Sequence, residues 1–249
     1  FIMVGMGLKV AIFPLHLWLP NAYTYAPSAI TSFLAATATK VAIYVMLRFL
    51  FSVFQPGFLA EVPTLDLVLY PFAILAMFAA SYTAILQRDL KRMLAYSSIG
   101  QVGYMLLGIA LLSESGLMAT MIHLFNHGIT KAALFMGVGV YVLNGGGSFY
   151  HNLRGRGKTM PWTSAAMVVA GLSLIGVPGT AGFLSKWLLV EATLEQGLWP
   201  IALLIVASSL LAVIYVWKLI ETLYLAQPAE GLQDQNVPLM MMIPLWVMA

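Results

Sequence analysis

Residues 67–86 read LVLYPFAILAMFAASYTAIL, 20 consecutive positions without a charged side chain. An α-helix rises about 1.5 Å per residue, so about 20 apolar residues cross the hydrocarbon core of a bilayer. One such run also fits a helix buried in a soluble protein. Residues 93–112 and 198–217 repeat it, each with 20 uncharged positions, and several runs of this length in one chain require a membrane. Composition agrees: 61% of the 249 residues are hydrophobic and 8% charged, against about 25% charged in an ordinary soluble domain. The expected fold is an all-α, polytopic membrane bundle.

Outward from that run, the pattern predicts complete spans at 28–50, 67–86, 93–112, 116–143, 160–195 and 198–226. Partial spans cover 1–19, interrupted by Pro14 and closed by Pro20, and 237–249. Both ends fall inside apolar runs, so the chain is expected to be a piece of a longer one, forming a single transmembrane domain over 1–249. No cysteine is present, which leaves no disulfide or thiolate metal site. The net charge of +3 is small and dispersed, which argues against a nucleic-acid partner. No basic leader with a cleavage site opens the chain.

The charge sorts by side. Loops 87–92 and 152–158 hold Arg88, Lys91, Arg92, Arg154, Arg156 and Lys158, while the opposite loops hold Glu61, Asp66, Glu114 and Glu195 beside Arg48. Six basic residues against one predict that loops 87–92 and 152–158 are cytoplasmic. The expected location is a bacterial or archaeal cytoplasmic (inner) membrane.

The residues most out of place are Lys9, Lys40, His123, His127, Lys131 and Lys186, all within apolar spans. A lysine at the bilayer centre costs about 2.5–3.5 kcal/mol on insertion scales, and no acidic residue within a span is an evident partner for Lys9, Lys40 or Lys131. An unpaired ammonium in a medium of low dielectric gives up its proton more readily than one in water, the property a proton relay needs. His123, His127 and Lys131 follow at i, i+4 and i+8, one face of one helix. Snorkelling at a helix end does not explain them, because they sit 7 to 15 residues inside their span. A zinc site is disfavoured: His123-Leu-Phe-Asn-His127 lacks the glutamate of metalloprotease helices. Lys9 precedes Pro14, and Lys186 follows Pro178-Gly179, so Pro14, Pro178 and Gly179 mark two broken helices. Broken helices inside a membrane point to a transport site. His16 is read either as an interfacial structural residue or as a relay terminus. Gly157-Lys158-Thr159 lacks the earlier glycine of a phosphate loop, since position 152 is Asn152.

Together these residues resemble one family. Lys9 with Pro14-Leu-His-Leu-Trp-Leu-Pro20, Ala26-Pro27-Ser28, Lys40, Asp89-Leu-Lys-Arg-Met-Leu-Ala-Tyr-Ser-Ser98, the His123–His127–Lys131 ladder and the broken helix before Lys186 look like the antiporter-type module. That module is shared by respiratory complex I, membrane-bound hydrogenases and multisubunit Mrp-type cation/proton antiporters. Residues 21–40 look most like the D subunit of the Mrp-type Na+/H+ antiporters. The resemblance implies inverted repeats around a hydrated polar axis, with 1–54 ending the first repeat, 65–226 forming the second and 237–249 starting a further helix. It implies that Lys9, Lys40 and Lys131 pass protons along the axis, that His123 and His127 bridge Lys40 to Lys131, and that Lys186 is the terminal donor or acceptor near one membrane face. Gln101 stands where many complex I members carry histidine; glutamine does not titrate, but its amide can hydrogen-bond water.

The expected function is that of a proton-translocating subunit of a multisubunit Na+/H+ antiporter. The alternative is a proton-pumping subunit of a redox complex, and a non-conducting scaffold is disfavoured because the lysines remain. In either leading reading the partners are other membrane subunits, protons, sodium or another monovalent cation, and the lipid bilayer. No cofactor is expected in the chain, and redox catalysis belongs to partner subunits.

Overall fold

The computed structural model describes residues 1–54, 64–145, 147–227 and 237–249. Among the described residues the regular structure is helical: α1 (Ile2–Val10), α2 (Trp18–Tyr25), α3 (Ser28–Arg48), α4 (Thr64–Leu86), α5 (Leu90–Ala110), α6 (Glu114–Leu143), α7 (Pro161–Ile175), α8 (Ala181–Glu195), α9 (Trp199–Ile220) and α10 (Leu239–Met248). Among the described residues four helices are long and apolar enough to cross a membrane: Ser28–Val53, Val68–Leu86, Leu90–Ala110 and Trp199–Leu225. The sequence predicts six complete spans. The 160–195 region instead divides into two 15-residue helices, α7 and α8, each too short to cross alone. α6, at 30 residues, is long enough but carries the polar ladder. Glu61 of the acidic side lies outside the described residues.

Local chemistry sets the helix ends. Asp89 caps α5 by accepting the Arg92 amide at 3.0 Å. Ser113 caps α6 through the Gly116 amide at 3.1 Å, with Glu114 in the first turn complementing the helix dipole. Thr180 caps α8, and Pro161 opens α7, where a missing amide costs nothing.

Both broken helices stop by the same device. At the end of α7, Gly176 takes a left-handed conformation (φ 90°), its amide reaches the Ser173 carbonyl, and the Val177 amide reaches Leu172. At the end of α1, Ala11 is left-handed (φ 61°), with its amide on Leu8 and the Ile12 amide on Gly7. This is the Schellman arrangement, which turns the chain out of the helix. The prolines follow rather than cause the stops: Pro14 lies in the first gap and Pro178 in the second, both exposed.

α6 is the central pillar, packed against α3, α5, α7, α8 and α10. α5 is enclosed almost entirely, with 94% of its span buried, whereas only 33% of the α9 span is covered. At one end of the bundle the two basic loops meet. Asp89 and Phe149 form an antiparallel bridge, the Leu90 amide donates to Ser148 at 2.8 Å and the Tyr150 amide to Arg88 at 3.1 Å. Lys218 of α9 ties the same end, donating to the carbonyls of Ile85 (3.0 Å) and Gln87 (2.8 Å) beneath the Tyr150 ring. Burial, with Asp89 nearby, holds the Tyr150 phenol above its ordinary range, so it stays neutral there. These contacts bring loops 87–92 and 144–158 together at one end of the bundle.

Candidate functional site: a buried row of lysines and histidines

α3, α6 and α8 bring Lys40, His123, His127, Lys131 and Lys186 into the interior, each buried. α5 supplies the opposing wall. Its polar residues Ser97, Gln101 and Tyr104 are spaced four and three apart and so share one face. Each meets one titratable group. Ser97 Oγ accepts a hydrogen bond from Lys131 Nζ, which also donates to the Leu94 carbonyl at 2.8 Å. Gln101 Oε1 lies 3.0 Å from His123 Nε2. The Tyr104 ring lies under Lys186 Nζ, 4.8 Å from its centroid.

His123 is held from both sides, since its Nδ1 is 2.8 Å from Ser185 Oγ on α8. Because the Gln101 amide oxygen only accepts, His123 donates from Nε2 and leaves Nδ1 as the acceptor facing Ser185, which fixes the tautomer and the ring plane. His127 stacks nearly parallel to it, with centroids 6.0 Å apart. Both His127 ring nitrogens are buried without a hydrogen-bond partner. His127 lines a small pocket of about 10 Å³ together with His123, Asn126, Thr130 and Ser173.

The lysines rest on oxygen dipoles rather than carboxylates. Lys186 Nζ donates to Leu174 (3.0 Å) and Ile175 (2.8 Å). These are the last two carbonyls of α7, left over once Gly176 and Val177 have bonded Ser173 and Leu172. The break thus presents the negative end of a helix dipole to an ammonium. Lys40 donates to Ala35 of its own helix, and Gly128 of α6 packs closely against it, where a Cβ would stand 3.2 Å from the Ala36 carbonyl. Such contacts between small residues let membrane helices approach.

Not every expected residue joins the row. Lys9 is exposed and lines a surface groove of about 440 Å³ with Trp18, Ala38 and Val45. Within this chain α1 buries Gly7 and Val10, and Lys9 lies off that face. The Leu8 carbonyl, which already accepts from the Ala11 amide, also accepts from Trp18 Nε1 at 2.8 Å. His16 is buried, stacked on Phe13 and edge-on to Tyr96, with Nδ1 unpartnered. Pro14, Pro178 and Gly179 are exposed in the two gaps. The resemblance places both histidines between Lys40 and Lys131, whereas His123 lies at the Lys186 end. Sequence reasoning missed Ser97, Tyr104 and Ser185; the 97/101/104 spacing was the available signal.

Comparison with known proteins fits this geometry. Residues 1–212 match the family described as NADH:quinone oxidoreductase/Mrp antiporter, TM. NADH-quinone oxidoreductase subunit N of Desulforudis audaxviator is 43% identical over 225 residues, 90% of this chain and 44% of that protein. Among solved structures, a chain of the membrane-bound sulfane sulfur reductase, an archaeal respiratory membrane complex, superposes with TM-score 0.85 at 34% identity, covering 99% of this chain and 50% of that one. A chain of the Mrp complex from Dietzia sp. gives TM-score 0.84 at 30% identity, over 92% and 42%. The chain spans about half the length of the relatives it matches, and those relatives are subunits of multisubunit membrane complexes. This multi-pass membrane chain belongs to the NADH:quinone oxidoreductase/Mrp antiporter transmembrane family.

Proposed function

We propose that the chain is a proton-translocating membrane subunit of a redox-driven quinone oxidoreductase complex of the complex I type. The observation that carries this reading is the parallel His123–His127 pair at 6.0 Å, flanked by buried lysines that lack carboxylate partners. Lys186, His123, His127, Lys40 and Lys131 pass protons along this row, and Gln101, Ser97 and Ser185 hold the carriers in register. Redox catalysis belongs to partner subunits. On this reading residues 1–54 end one repeat, 65–226 form the next and 237–249 begin a further helix. Lys9 and His16 stand at the approach from the first repeat, and loops 87–92 and 152–158 face the cytoplasm.

The sequence alone favoured a sodium/proton antiporter subunit. Similarity to NADH-quinone oxidoreductase subunit N favours the redox-driven alternative, while the Mrp structure keeps the antiporter as the second reading. The test is acid uptake by everted vesicles carrying the assembled complex, wild type against Lys131→Ala. Acidification driven by quinone reduction, lost in Lys131→Ala with assembly intact, supports the proposal. A pH gradient collapsed by sodium without a redox donor supports the antiporter instead. Full pumping by Lys131→Ala removes Lys131 from the pathway.

A further inference from the structure

His123 has a partner on each ring nitrogen, and the two partners differ in kind. Gln101 Oε1, 3.0 Å from Nε2, can only accept, whereas Ser185 Oγ, 2.8 Å from Nδ1, can accept or donate. The serine hydroxyl has a second place for its hydrogen, the Gly182 carbonyl three residues back in α8, at 3.1 Å. That carbonyl is held where it is by a close crossing of helices. A Cβ on Gly182 would stand 1.8 Å from the Ser173 carbonyl oxygen, so only glycine lets the first turn of α8 close onto the end of α7. The charged and titratable groups around His123 are Lys40 of α3, Tyr104 of α5, His127 of α6 and Lys186 of α8. Among the described residues no carboxylate is set against it, so a protonated His123 rests on the oxygens of Gln101 and Ser185.

We propose that Ser185 is a two-way hydroxyl switch that lets His123 take up and release a proton at Nδ1. This rests on the proton-translocating reading above and names the atom at which His123 loads. With His123 neutral, Nε2–H donates to Gln101 and Ser185 donates its hydrogen to the Nδ1 lone pair. With His123 protonated, Nδ1–H donates to Ser185 Oγ and the serine hydrogen turns to the Gly182 carbonyl. His123 gains one proton, while Ser185 keeps its single hydrogen throughout and never becomes an alkoxide. Only the hydroxyl rotates between the two states. A carbonyl in its place would set two lone pairs against each other when the ring is neutral, and an amide N–H would bar the cation. The Nε2 hydrogen stays on Gln101 in both states, so the proton that comes and goes is the one on Nδ1. Ser185 is a positioning residue: it acts through His123 and passes on no proton of its own.

The experiment measures redox-driven proton pumping by the assembled complex in sealed vesicles over a range of pH. Ser185→Ala removes the hydroxyl, and the charged ring loses more than the neutral one, because hydrogen bonds to an ion are the stronger. Pumping at neutral pH is expected to fall about tenfold, the order set by one hydrogen bond to a charged group, and to recover toward acid pH with assembly unchanged. Ser185→Thr keeps a hydroxyl and should restore the wild-type profile. Ser185→Val has the shape of threonine without the hydroxyl and should behave as Ser185→Ala does, which separates the switch from packing. Wild-type pumping by Ser185→Ala, a rate lowered by the same factor at every pH, or equal behaviour of Ser185→Thr and Ser185→Val overturns the switch. Lys131→Ala runs beside them, and its inactivity in that case leaves the proposed function standing. A wild-type complex that acidifies no vesicles on quinone reduction removes the proposed function and the switch with it.

Discussion

A methyl group on Gly176 would lie 3.0 Å from Cδ of Lys186, at a backbone φ of 90° that side chains rarely adopt. Gly176→Ala should therefore strain the turn by about 1–2 kcal/mol and push the lysine stem off the α7 carbonyls. The expected outcome is a lower melting temperature together with slowed pumping. His127, with both ring nitrogens unpartnered, lines a polar pocket sized for one water, and buried polar atoms find partners. Density for a water bonded to His127 in a high-resolution map is the expected result. Lys131 and Lys186 were legible at this scale because a charge stands out in an apolar run. Ser97 and Tyr104 were not, since membrane helices carry hydroxyls routinely and satisfy them on their own backbone. The exposure of Lys9 was also hidden, because it depends on which face of α1 meets α3.

Among the elements, the two breaks share their geometry but not their residue: Gly176 ends α7, whereas Ala11 ends α1. The left-handed conformation penalises a Cβ, so Ala11→Gly should stabilise the protein by about 1 kcal/mol. Thermal unfolding of the purified complex measures it, and an unchanged or lowered midpoint would show that the turn owes nothing to backbone strain. Asp89 has two duties, capping α5 and accepting from Ser148 of the other basic loop. Asp89→Ala should cost about 1–2 kcal/mol through the cap alone, and protease nicking of the 144–158 loop should rise with it. The sequence located both breaks within a few residues but assigned them to Pro14 and to Pro178-Gly179. The hydrogen bonds that end the helices lie upstream, on residues whose left-handed backbone no composition signal announces at Ala11.

For the whole molecule, the lysines work against insertion. Lys131→Ala and Lys186→Ala each remove about 2.5–3.5 kcal/mol of membrane penalty, so assembly should be preserved or improved while transport is lost. Immunoblots of the assembled complex beside pumping rates check both halves, and loss of assembly would mark these lysines as structural. The class of fold was plain from three charge-free runs. The packing order around α6 was not, because that helix shows polar residues on one face and apolar residues on the others in a pattern compatible with several neighbours.

The near-complete enclosure of α5 bears on how the protein is made. α5 is the least apolar of the four long spans and also the most thoroughly covered. Leaving the ribosome alone, it would present Ser97, Gln101, Tyr104 and the loose end of a lysine network to bare lipid. The turn from α4 is only three residues long, Gln87–Asp89, so both helices can enter the bilayer as one hairpin, with α4 as escort. Biogenesis should then stall with α5 unprotected until α6 arrives, and membrane chaperones that shelter polar helices would act on the nascent chain at that interval.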